Sequence, residues 1–352
     1  EYTGDKDQWS AYANQRLGLA DGLILTADLH YQHKEYRFEQ QAVGNFTGTD
    51  RHGYTVKYDF FNPKGALNYE LPGRVGGGTL AFYGSAGINH REPTDGELFD
   101  TWQSGSDLGV QPLFHDSREV EKPDGSVDWI EWSNPKVRHE RVVDYELGTG
   151  WQSRNLSVTL GGYWMDFRDE IVPYGGVSED GSGIRGNAGK TRHKGIEVGV
   201  HGRLSDVHAL SLAGSRSWDT FEEFLFTDWD GSQADLSGNP IALFPEHLLM
   251  VAWDGVWHPG FRSRVRVRNT GQQYLDNTGD EDRTIDSWTT LDLSLWSDLG
   301  GLGWRSLDGA TVFAHLRNLA DTEYEVWGYW YGENFYTPAA GFNFAVGIDY
   351  EF

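Results

Sequence analysis

From Phe342 to Phe352 every second residue is large and apolar: Phe342, Phe344, Val346, Ile348, Tyr350 and Phe352, with Asn343, Ala345, Gly347, Asp349 and Glu351 between them. A period of two held over eleven residues is a β-strand with one apolar face. Strands of soluble sandwiches are typically about 5–6 residues long, whereas a tilted strand crossing a bilayer needs about 9–11. The same phase recurs at Leu23, Leu25, Ala27, Leu29 and Tyr31; at Leu156, Val158 and Leu160; at Ile196, Val198 and Val200; and at Leu249, Val251 and Trp253. It returns at Leu291, Leu293 and Leu295, with Thr289 a polar exception, and at Val312, Ala314 and Leu316. The longest mainly apolar run, Leu248 to Trp253, is far too short for a membrane-spanning helix. The pattern therefore predicts an all-β chain forming a transmembrane antiparallel up-and-down β-barrel, apolar outside and polar inside.

The connections alternate in length. Short ones lie at 19–22, 72–78, 152–155, 205–207 and 254–260, long ones at 38–53, 89–139, 169–193, 223–244, 271–285 and 321–340. In outer-membrane barrels tight turns face the periplasm and long loops face outward, so the alternation assigns a sidedness. Thirteen strands result, near 9–18, 23–37, 54–71, 79–88, 140–152, 155–168, 194–204, 208–221, 245–254, 260–270, 286–297, 309–320 and 341–352. An odd count leaves an unpaired edge, which lipid does not tolerate. The expectation is that the 352 residues form one barrel portion that does not close alone. Glu1 follows no initiator Met, basic region or apolar region, so a signal peptide has been removed or the chain is the later part of a longer protein.

Five stretches, in order, carry a resemblance. They are Phe61–Leu71 with Leu80–Asp100, which ends in an Arg-x-Pro-Thr element; Asn134–Gly148; Asn187–Gly199; Leu316–Tyr324; and the terminal Phe352. Together the chain resembles the barrel of TonB-dependent outer-membrane receptors, which import ferric siderophores, haem, cobalamin and some glycans. The resemblance implies about 22 strands around a plugged lumen, of which these would be about the last thirteen, with the plug, the energy-coupling box and the first strands absent. It also implies a TonB partner acting through that plug, outer-membrane lipid around the wall, and Phe352 as the signal read by the barrel assembly machinery.

The remaining motifs are weighed against plainer readings. Gly186–Thr191 misses the phosphate-loop spacing because Ile184 stands where glycine is required, and a period-two strand follows instead of a helix. A net charge of −24 opposes nucleic-acid binding. The absence of cysteine excludes thiol chemistry and Cys-ligated metals. No His pair has the helix-borne metal spacing, and His30 and His33 fall on opposite faces of one strand. His90, His115 and His139 border or occupy the longest loop, where haem-type members can carry an axial histidine, but the fuller haem motifs are not present. Acidic loops at 222–235 and 276–286 read as solvated charge rather than calcium sites. No nucleophile elbow or His-Glu-x-x-His occurs, so no catalytic residue, resident metal or cofactor is expected.

Two groups are candidates for function. Arg262, Arg264, Arg266 and Arg268 share one strand face. Each would cost about 2–4 kcal/mol in lipid, so that face is the lumen, where the arginines pair with neighbours such as Asp292, meet the plug, or hold an anion. Trp327, Tyr329, Trp330 and Tyr331, in a loop that also holds Tyr324, Phe335 and Tyr336, offer stacking faces to a planar ligand. The expected function is TonB-coupled, non-enzymatic uptake of a ferric siderophore. Haem, cobalamin or glycan import are alternatives within the family. A soluble extracellular glycan-binding β-protein is the competing class, and a passive porin a third.

Overall fold

A computed structural model describes residues 2–44, 47–99, 112–177, 183–227 and 232–351. Thirteen strands succeed one another in a single antiparallel path: β1 (Tyr2–Ala20), β2 (Leu23–Gln40), β3 (His52–Glu70), β4 (Thr79–Arg91), β5 (Glu140–Gln152), β6 (Leu156–Arg168), β7 (Lys190–Arg203), β8 (His208–Glu223), β9 (His247–His258), β10 (Phe261–Thr270), β11 (Trp288–Asp298), β12 (Ala310–Arg317) and β13 (Asn343–Tyr350). Each pairs with its sequence neighbour, and β1 and β13 are not paired with each other among the described residues. The thirteen expected strands are thus recovered with the expected order. The main departures are at β1 and β7, which start at Tyr2 and Lys190 rather than at 9 and 194, and at β9, which runs on to His258 rather than ending at 254. Phe352 lies outside the described residues.

The register explains why alternation was the dominant signal. One row across the sheet runs Ile196, Gly162, Leu147, Gly84, Leu67, Leu25, Leu17. Another runs Phe344, Leu316, Leu293, Val265, Trp253, Leu210. Leu147, Leu160 and Phe344 are 71%, 51% and 66% exposed, which for three large apolar side chains marks a face built for a non-aqueous surround. The opposite face carries Asn14, Asp28, Lys64, Glu146, Glu197, Ser211, Asp254, Arg266 and Asp292. Spin labels at Leu160 and Phe344 in the complete protein are therefore expected to be broadened by lipid-soluble oxygen and spared by a water-soluble quencher; equal broadening would reverse the assignment of faces.

Apolar cores are correspondingly small and peripheral. Phe38, Tyr54, Val56, Leu98, Phe99 and Phe114 form one. Val172, Ala188, Phe221, Phe224 and Ile241 form another. Both sit at the roots of long connections, where burial pins loops to strand ends. Within those connections the structure adds five hairpins that alternation did not announce: Phe114–Glu121 with Val127–Pro135, Ile171–Val177 with Gly183–Asn187, Leu225–Thr227 with Gln233–Asp235, Gln273–Tyr274 with Thr284–Ile285, and Glu325–Trp330 with Asn334–Pro338. The first also docks in parallel on β3 at His52–Tyr54, an edge left free because β3 pairs with β4 only from Lys64 onward.

Two glycines are required by close approach. Gly22, in the two-residue turn joining β1 and β2, has φ +72°, and a Cβ there would meet Glu70 O at 2.1 Å. Gly148 lies opposite Tyr83, whose ring covers it so closely that a Cβ would sit 2.4 Å from a ring carbon. The tyrosine fills the space the glycine leaves.

Candidate ligand-binding end and lumen

Family-like motifs in the sequence turn out to be the knots that hold the loop roots. Asn187 receives Arg138 N–H at 2.8 Å and donates to the carbonyls of Arg138 (2.9 Å) and Asp169 (2.6 Å), tying two long connections together. Asn318, with φ +50°, bonds Thr322 in both directions, and its backbone N–H donates to buried Asp292 at 3.0 Å. Asp321 accepts Phe342 N–H at 2.7 Å, closing the last loop where β13 begins. These are local backbone satisfactions by side chains, the reason Asn and Asp occupy such turns.

The last long connection carries the aromatic group. Trp327, Tyr329 and Trp330 lie on the strand Glu325–Trp330, and Tyr331 follows it at 66% exposure. Ring centroids of Trp327 and Tyr329 are 5.5 Å apart, and Tyr329 stacks on Phe335 at 5.1 Å with planes 10° apart. The structure does not leave all four equivalent. Arg283 lies over the Trp330 indole at 3.9 Å, and is itself held by Asp276 at 2.7 Å and Asp280 at 3.3 Å. Asn334 and Tyr336 donate to the carbonyls of Asp282 and Thr284. So the acidic loop 276–286 acts as a brace for the aromatic hairpin. Sequence reasoning missed this, since the hydrogen-bonded partners are 52 residues apart and no spacing rule connects them.

The arginines occupy the polar face but are spread along its height. Arg266 and Arg268 both reach Asp292, at 2.8 and 3.4 Å, while Arg264 pairs with Asp254 at 2.7 Å and Arg262 lies over Trp296 at 4.9 Å. Arg262 and Arg264 line a hollow of about 470 Å³ at the short-turn end, with Arg203 and His208. They are therefore at the far end of the strand from the aromatic hairpin. Of the four, Arg268 is nearest the long-loop end of its strand, and among the described residues three donors at that end are buried without a partner: Arg268 Nε, Thr290 Oγ1 and Trp288 Nε1.

Two further clusters come together only in three dimensions. His193 is gripped between Asp219 at 2.7 Å and Glu170 at 3.0 Å, with Thr191 donating to the same Glu170. His90 stacks on Phe60 at 5.2 Å and lies 5.8 Å from the His139 ring, while His115 stands apart and exposed. Near them, just past β4, burial raises the Glu92 carboxyl but hydrogen bonds from Lys34 and Lys6 outweigh it, holding it down at about 2. Among the described residues no three His, Asp or Glu side chains converge on one metal position.

A family model described as TonB dependent receptor-like, beta-barrel matches residues 1–319. No curated protein sequence matches the chain. Solved structures do. The siderophore receptor PiuA from Acinetobacter baumannii aligns at TM-score 0.70 and 14% identity, covering 99% of this chain and 44% of that one. The ferric yersiniabactin uptake receptor FyuA from Yersinia pestis aligns at TM-score 0.66 and 16% identity over 99% and 46%. The copper transporter OprC aligns at 0.65 and 15% over 99% and 48%. At such identities the likeness is one of fold, and the chain spans about half the length of these structures.

Proposed function

The chain belongs to the TonB-dependent receptor β-barrel family, whose members are transporters of the Gram-negative outer membrane and not enzymes, and from that premise we propose that the protein it forms captures and imports a ferric siderophore. The observation that carries the reading is the aromatic hairpin, Glu325–Trp330 with Asn334–Pro338, held at the long-loop end by Arg283 with Tyr331, Phe335 and Tyr336 exposed. Exposed rings on a braced support suit a bulky, planar chelate, since little side-chain freedom is lost on stacking.

The mechanism assigns separate tasks to the two ends of the wall. At the long-loop end the aromatic hairpin takes up the chelate. Below it, Arg268, on the lumen face and held by Asp292 at 3.4 Å with 40% of its side chain exposed, is placed to meet carboxylates or carbonyls of the plug that fills the lumen in this family. The lower arginines, already paired or stacked, act as a rigid cationic wall; this supports plug contact over direct anion capture for Arg262, Arg264 and Arg266. Energy enters through TonB acting on the plug, while the wall stays fixed because its hydrogen-bond ladders leave no slack. Folding into the membrane would proceed with the barrel assembly machinery reading Phe352.

The test is import by iron-starved cells that depend on the complete receptor, supplied in turn with catecholate, hydroxamate and phenolate ferric chelates, haem, cobalamin and a copper complex. Energy-dependent uptake of a ferric chelate is expected. Uptake confined to haem, cobalamin or copper would replace the substrate while leaving the transporter in place.

A further inference from the structure

On the lumen face of β4 to β8 the register builds two adjacent rows of the same make-up. One runs Ser85, Glu146, Tyr163, Gly195, Ser217, and the next one down runs Tyr83, Gly148, Gly161, Glu197, Ser215. The glycines are the floor on which the tyrosines lie. A Cβ at Gly148 would meet the Tyr83 ring at 2.4 Å, one at Gly161 its hydroxyl at 2.9 Å, and one at Gly195 the Tyr163 hydroxyl at 2.6 Å. Each ring therefore rests on the wall and turns its other face to the lumen. Hollows of about 390 and 400 Å³ open here, both lined by Tyr163, Met165 and Glu197, the first also by Tyr83 and Glu146.

The charges around these hollows do not balance. Asp144 shares a row with Lys64, which reaches over Gly87, and Glu170 and Asp219 hold His193 between them. Glu146 accepts the Ser85 hydroxyl at 3.2 Å and has no cationic partner among the described residues. Glu197 has neither a hydrogen bond nor an ion pair among them, and none of the described residues lining either hollow is a lysine or arginine. A divalent metal is a poor fit, because it needs several oxygens on one point and no three carboxylates or histidines converge among the described residues. An organic cation is a good one: it is held by charge-assisted hydrogen bonds to carboxylates and by the π faces of aromatic rings. Arg268 lies one lumen row further down, with Gly199, Ala213 and Met250, so a solute entering from the long loops meets the two glutamates before the arginines.

We propose that Glu146 and Glu197, with the ring faces of Tyr83 and Tyr163, form a lumen subsite for an organic cation, an ammonium or guanidinium group carried by the imported ferric chelate. The inference rests on the ferric-chelate reading and narrows it. A chelate with a free amine gains both carboxylates and ring faces, whereas a polyanionic chelate is repelled by the same two glutamates. The aromatic hairpin at the mouth accepts either, so the choice between them falls to this subsite.

The test measures binding of radio-iron chelates to de-energised cells bearing the complete receptor, in matched pairs. One pair is a linear ferric trihydroxamate with a free terminal amine and its N-acetylated form; the other is a ferric tris-catecholate with and without an appended amine. In whichever class binds, the amine-bearing member is expected to bind roughly tenfold more tightly than its partner. Glu146→Gln with Glu197→Gln should remove that difference. Tyr83→Phe with Tyr163→Phe should keep it, since the ring face and not the hydroxyl meets the cation. Equal binding within each pair by the unaltered receptor overturns the proposal, and needs no variant to fold. Binding of no ferric chelate at all overturns the import reading beneath it as well. A preference that survives the double Gln variant also overturns the proposal, and if the plug then opens to protease the carboxylates hold a basic group of the plug instead.

Discussion

Replacing Asp292 by alanine is expected to destabilise the complete receptor by about 2–4 kcal/mol in denaturant unfolding, a large loss for one carboxylate. Asp292 is 4% exposed and serves three partners: Arg266 at 2.8 Å, Arg268 at 3.4 Å and the Asn318 N–H at 3.0 Å. Its removal strands two cations and frees the turn that opens the last long loop. The upper end of the usual range for a broken buried pair is not reached, because both arginine side chains keep about two fifths of their exposure to water. Asp292→Asn should cost less, since an amide oxygen still accepts the Asn318 N–H. Arg264→Ala is the internal comparison: its pair with Asp254 is half exposed, so under about 1 kcal/mol is expected. Equal costs for Asp292→Ala and Arg264→Ala would mean that the ladder is a surface decoration.

Replacing Trp327, Tyr329 and Tyr331 together by alanine is expected to weaken capture of the ferric chelate by roughly 10- to 1000-fold, taking about 0.5–1.5 kcal/mol for each lost stacking partner. The measurement is binding of the radiolabelled chelate to cells bearing the receptor, with heat-modifiable gel mobility to show that the barrel still assembles. Trp330→Ala belongs in a separate arm. Its ring lies under Arg283, so its loss detaches the hairpin from the loop 276–286, and binding should fall with a rise in protease cleavage of both loops. Unchanged chelate binding in the triple variant, with loss of a glycan, haem or cobalamin, would remove the siderophore while keeping transport.

The candidate site was legible only in part. The four aromatic residues and the four arginines could be named because their residue types and spacing are conspicuous in one stretch of chain. Which of them are available could not, because availability depends on partners distant in sequence. Trp330 is covered by Arg283, and Arg266 is neutralised by Asp292 from the next strand. His90 and His139 stand in the sequence at the two ends of one long loop, with His115 between them, and the 5.8 Å approach of the first two follows from the convergence of strand ends after that loop.

The sequence by itself determined the strands, their order and their two faces. Alternation has a period of two, each strand pairs with its neighbour in the chain, and a one-residue slip would turn every apolar side chain from one face to the other. That constraint is local and repeated thirteen times along the path, so Leu291, Leu293 and Leu295 reveal it without their neighbours. The tertiary structure decided the loop hairpins, the knots at Asn187 and Asn318, the partners of the arginines and the meeting of Tyr83, Glu146, Tyr163 and Glu197 on the lumen face. These depend on register between strands and on contacts across 20 to 100 residues, where hydrogen bonds and ion pairs follow from distance in space and leave no period in the chain.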